Sequence, residues 1–146
     1  MFRRLSVAAS LAVLTVAGRA AAERELDVAA PARAAAGSDF VVAVHAATHV
    51  GGGERIGFFH AEFSTDGGRT WRGLAYDQNQ GPAVDRRFTL QGGAPGTWID
   101  LRFRVAFRDG AAGDVDYAGA AIRWTDTWED WSEPPARHVR VAIGPP

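Results

Sequence analysis

"TWIDLRFRVAF", residues 97–107, is the stretch that decides the fold. Ile99, Leu101, Phe103, Val105 and Phe107 share one parity, and Asp100, Arg102, Arg104 and Ala106 share the other. In an extended chain successive side chains point to opposite faces, so this pattern reads as a β-strand with one face on a core and the other wet. Trp98 leads the strand and is expected to be buried with it.

The same period extends outward on both sides. "IGFFHAEFS" (56–64) sets Phe59, Ala61 and Phe63 against Phe58, His60 and Glu62, and "DFVVAVHAA" (39–47) alternates Phe40, Val42 and Val44 with smaller partners. "DRRFTL" (85–90) and "RHVRVAI" (137–143) are shorter runs of the same kind, separated by Gly, Pro, Asp and Asn. Helical periodicity is nearly absent. Together the runs predict about seven or eight strands, an all-β, antiparallel, immunoglobulin-like or fibronectin-like β-sandwich.

With 146 residues, 47% of them hydrophobic, the chain has the composition of one globular domain. Arg3 and Arg4 precede an apolar run, Leu5 to Ala17, and Ala20, Ala21 and Ala22 supply small residues. This is the pattern of a signal peptide over residues 1–22, too short in its apolar part to span a membrane, which makes 23–146 a secreted or periplasmic domain. No Cys follows to take a lipid, and none is available for disulfides. Beyond residue 22 there are 13 Arg against 17 Asp plus Glu, which disfavours nucleic acid as a partner, and no membrane contact is expected after cleavage.

"STDGGRTW", Ser64 to Trp71, fits the Asp-box pattern. Its chemistry is local: Asp66 can accept bonds from following backbone N–H groups, Gly67 and Gly68 can take positive φ, and Trp71 can fold over the hairpin it closes. A sialidase propeller would repeat the box in every blade, and here it occurs once.

The order "HAEFSTDGGRTW", "VDRRFTL", "IDLRFRVAF", "DGAAGDVDYAGAAI" resembles the starch- and glycogen-binding modules of glycogen-targeting phosphatase subunits and of the glucoamylase N-terminal domain, over roughly residues 39–122. The resemblance implies a β-sandwich with a polysaccharide as ligand. It aligns Trp71 with the family's Trp after the turn, Asp85 and Phe88 with its Asp-Arg-Phe strand, and Asp116 and Gly119 with its last loop, where Tyr117 stands near the loop aromatic. The family's Asn pair is missing.

"IRWTDTWEDWSEPP" (122–135) places Trp124, Trp128 and Trp131 within eight positions, interleaved with Asp126, Glu129 and Asp130. Indole faces beside carboxylates suit stacking on sugar rings, and spacings of four and three would put all three rings on one side of a short helix. Alternatively the rings pack across the open end of the sandwich as a satellite core. These residues, with Trp71, Asp116 and Tyr117, form the candidate ligand site.

His45, His49 and His60 would mark a metal site if they converged, but no zinc signature is present and surface placement on a wet sheet explains them. Asp109, Asp114 and Asp116 cluster without the spacing of a calcium loop. No catalytic triad or nucleotide motif appears, so neither an enzyme nor a cofactor is expected. The functional expectation is an exported non-catalytic carbohydrate-binding module. The alternative is an immunoglobulin-like structural or protein-partner-binding domain, since the turn also looks like that in the immunoglobulin-like domain of sulfite-oxidase-type molybdenum enzymes.

Overall fold

The computed structural model describes residues 22–124 and 126–146, without the side chains of residues 126 and 127. The signal peptide expected over residues 1–22 lies almost wholly outside the described residues. Eight strands form two layers: β1 (Arg24–Ala29), β2 (Arg33–Ala35), β3 (Asp39–Thr48), β4 (Arg55–Ser64), β5 (Arg72–Gln78), β6 (Ala83–Gln91), β7 (Trp98–Arg108) and β8 (Arg137–Gly144). One sheet has the order β1-β3-β6 and the other β2-β8-β7-β4-β5. Every pairing is antiparallel except that of β2 with β8. The fold is the expected β-sandwich.

Parity along each strand places the core. Phe40, Val42 and Val44 of β3 face Phe59 and Ala61 of β4 and Ile99, Leu101, Phe103, Val105 and Phe107 of β7 in one buried cluster that Leu26, Phe88, Leu90, Val141 and Ile143 complete. At about 25 cal/mol per Å² of apolar surface, this burial is what holds a chain without disulfides. A buried ion pair ties the start of β1 to the β3–β4 loop. Arg24 donates to both carboxylate oxygens of Glu54 (2.7 and 2.8 Å), and Thr48 Oγ1 donates to the same group. These partners hold the Glu54 carboxyl below its usual range and the Arg24 guanidinium above its own.

The turn "STDGGRTW" behaves as its residues predict. Asp66 accepts bonds from Arg69 N (3.0 Å), Thr70 N (2.9 Å), Thr70 Oγ1 (2.6 Å) and Ser64 Oγ (2.7 Å), which keep its carboxyl far below the ordinary range, the Thr70 hydroxyl first among them. Gly67 and Gly68 take φ of 76° and 88°, and Trp71 donates its Nε1 proton back to Gly68 O at 3.1 Å.

Two sequence expectations fail. Trp98 is 42% exposed, because it shares the outward parity of Asp100 and Arg102. The outer face of β4 and β7 is not wet: His60, Glu62 and Arg104 are buried.

Candidate functional site

What covers that outer face is the tryptophan-rich segment. It does not form a helix carrying three rings on one side: among its described residues only Asp126–Asp130 is helical, as a 3-10 turn, and the backbone passes through φ of 55° at Trp124 and 65° at Trp131. Nor does it close an end of the sandwich. Trp128 packs on a small second cluster of Phe58, Ala106 and Ile122 on the outside of the five-stranded sheet.

Arginines that alternate outward from β7 interleave with the indoles. The Arg102 guanidinium lies 4.0 Å from the Trp71 ring and 4.1 Å from Trp131, and that of Arg104 lies 4.4 Å from Trp131 and 4.0 Å from Trp128. Trp124 continues the row, 5.5 Å from Trp128 and 5.5 Å from Arg108. An arginine over an indole contributes about 0.5–2 kcal/mol, more when water is excluded, and planar guanidinium suits the stack. Trp131 is 6% exposed, so no sugar can reach its face.

The polar groups under the ladder are satisfied. Glu62 accepts from Arg102 Nε at 2.9 Å and from the Tyr76 hydroxyl. Arg104 donates to Trp128 O (2.9 Å) and to His60 Nδ1 (3.3 Å). Burial, then the neighbouring Arg102, lowers the Arg104 pKa to about 10, so it remains charged at neutral pH. Burial, then Arg104, lowers His60 to about 4, so it is neutral and free to accept.

The remaining expected site residues lie elsewhere or do other work. Asp116 is buried and accepts from Ala118 N (2.8 Å) and Ala120 N (3.0 Å), closing its own loop. Tyr117 packs against the main core with the Arg137 guanidinium 5.0 Å from its ring. Trp124, 40% exposed, donates Nε1 to Asp114 Oδ2 at 2.9 Å, while Asp109 pairs with Arg55. The three aspartates therefore have separate partners. His45 and His49 face Glu25 on the three-stranded sheet, His60 is on the outer side of the other sheet, and the three do not converge.

Beside the first rung of the ladder is a cleft of about 370 Å³ lined by Gly67, Trp71, Asp100, Leu101, His138, Val139 and Arg140. Asp100 and Arg140 are cross-strand neighbours on β7 and β8, as are Arg102 and His138. Arg140 Nε donates to Asp100 Oδ1 at 2.7 Å. Asp100 Oδ2 is buried and, among the described residues, has no partner. Its neighbour on β4 is Ser64, whose hydroxyl proton is already committed to Asp66. Sequence reading missed Asp100, His138 and Arg140; their outward parity was visible, but the β7–β8 register that joins them was not.

No family model matches the chain, and no curated protein matches it. Among solved structures it resembles a superoxide reductase (neelaredoxin) from Ignicoccus hospitalis, 14% identical, over 82% of this chain and 81% of that one, with a TM-score of 0.52. Two variants of that protein match similarly: one at 16% identity and TM-score 0.52, the other at 14% and 0.50, each over 84% of this chain and 82% of its own. This likeness is one of fold. It runs to superoxide reductases and not to carbohydrate-binding modules, and it overturns the expectation of a non-catalytic glycan-binding module. These likenesses lend no support to the immunoglobulin-like partner-binding alternative, and the ladder gives the physical reason the tryptophans were misread.

Proposed function

We propose that the chain is a small-ligand-binding domain that takes its ligand in the cleft between Trp71 and the β7–β8 pair. The observation that carries this reading is Asp100 Oδ2, a buried carboxylate oxygen without a hydrogen-bond donor. Leaving such a group unpaired costs about 1–3 kcal/mol or more, and a polar ligand in the cleft recovers it as the Asp100 carboxylate, its side chain 15% exposed, turns toward the donor. The cleft volume, about 370 Å³, sits at the small end of ligand sites, which run from roughly 300 to 1,000 Å³. An aromatic wall with a few convergent polar groups is the usual make-up of such a site.

The activity in the relatives' name does not transfer with the fold. Reducing superoxide needs a one-electron carrier, and the donor set does not fit a redox metal: the chain has no Cys, its four His are spread over β3, the loop after it, β4 and β8, and among the described residues no three His, Asp or Glu side chains stand so as to hold an ion. Binding without chemistry is the function proposed. The test is tryptophan fluorescence of the full chain titrated with a panel of small amines, carboxylates, amides and amino acids, repeated on Asp100→Asn. At least one compound should change the emission saturably and lose that effect in the variant; no response to any compound, or a response that the variant keeps, overturns the proposal.

A further inference from the structure

We infer that the ligand is a small zwitterion carrying an ammonium and a carboxylate a few bonds apart, as a free α-amino acid does; this rests on the cleft being the binding site. The cleft walls bring both signs together. The bond between Arg140 Nε and Asp100 Oδ1 uses one atom of each group. What remains is Oδ2 of Asp100, buried and unpartnered, and the two terminal guanidinium nitrogens of Arg140, whose central carbon lies 4.4 Å over the Trp98 ring and which make no hydrogen bond among the described residues. His138, exposed and on the same face of β8, adds a further donor.

Each of these unbonded edges calls for the opposite half of a zwitterion. An ammonium supplies N–H donors to Oδ2, and a carboxylate accepts from the forked edge of a guanidinium, a pairing that is stronger than a neutral one. A ligand with only a cation meets the like charge of Arg140, and one with only an anion meets that of Asp100, whereas a molecule with both offsets both. Because Asp100 and Arg140 are directly paired neighbours, the two ligand charges must also be close together. Trp71 adds an indole to the wall, a ring that attracts cations and already holds Arg102 at 4.0 Å. Val139, also in the lining, shares the inward parity of Leu101 and packs on the main core.

Isothermal titration of the full chain with L-leucine, its methyl ester and N-acetyl-L-leucine separates the charges. L-leucine should bind, the ester and the N-acetyl derivative at least tenfold more weakly, and Asp100→Asn and Arg140→Gln should each weaken L-leucine at least tenfold. Asp100→Asn preserves shape and Arg140→Gln shortens an exposed side chain, and circular dichroism at the titration temperature verifies folding. Equal binding of either derivative, or L-leucine binding unchanged in Arg140→Gln, overturns the zwitterion. If another free amino acid binds in an Asp100-dependent way the zwitterion stands; if only compounds with one charge or none do so, the zwitterion falls and the cleft survives; if nothing binds, both fall.

Discussion

His45 sits between two carboxylates and His60 beneath two indoles, so protons act on them in opposite senses. The His45 Nδ1 meets Asp85 at 2.7 Å and Nε2 meets Glu25 at 2.9 Å, and the bond to Asp85 leads in raising its pKa. Its contribution is fully present below the unfolded value near 6.5 and is lost as pH rises through the folded value. His60 is lowered to about 4, so its contribution is present above about 6.5 and is lost as pH falls toward 4. The full effect is on the order of 2 kcal/mol once partial solvent screening is allowed for. Urea unfolding at pH 7.5 and 4.5 checks this: His60→Asn should shrink the acid loss of stability seen in the parent chain. His45→Gln should cost most near pH 5.5 and little near 8.5. The opposite trend in either variant would refute the assignment. Neither environment was legible at this scale, since alternation places His45 and His60 on outward faces without saying that β1 supplies Glu25 to one and a distant segment covers the other. The Asp box was legible because all its partners lie within a few residues of Asp66.

At the scale of elements, parity tells which side of β7 each residue faces, and it fails only where it is overruled: Trp98 shares parity with Asp100, yet its place at the head of a core strand suggests burial. What parity does not carry is the covering layer. Arg102, Arg104 and Arg108 recur at every second or fourth residue of β7, and three indoles recur some twenty residues later. The signal was this numerical match, and their interleaving needed the chain to reverse over its own sheet. Arg104, 3% exposed, is the rung on which the cover depends, because it joins Trp131, Trp128 and His60. Removing a buried charged group leaves its partners unpaired, at a cost of about 3–5 kcal/mol. Arg104→Ala should therefore lose about that much stability and alter the near-ultraviolet circular dichroism of the indoles. Arg104→Lys keeps the charge but not the planar stack and should recover only part of it. An Arg104→Ala chain with unchanged spectrum and unfolding midpoint would show that the ladder does not hold the segment.

For the whole molecule, the two sheets share one core and the covering segment is rooted in it through β7, whose inward residues pack that core while its outward arginines grip the indoles. The segment is also closed on itself, with Arg123 N donating to Glu133 Oε1 at 2.5 Å and the Arg123 side chain to the same carboxylate. Melting the core must then release the ladder, and the cover has little to hold it once β7 leaves. Phe103 is fully buried at the centre of β7, and cutting such a ring to Ala costs about 3–5 kcal/mol. Domains of this size have only about 5–15 kcal/mol in total. Phe103→Ala should lower the urea midpoint by a corresponding amount while far-ultraviolet circular dichroism, which follows the strands, and tryptophan fluorescence, which follows the ladder, keep a common transition. Two separated transitions, with fluorescence changing first, would mean that the indole layer opens on an intact sandwich and that the cleft wall at Trp71 is movable, because Trp71 is both the first rung and a side of the cleft.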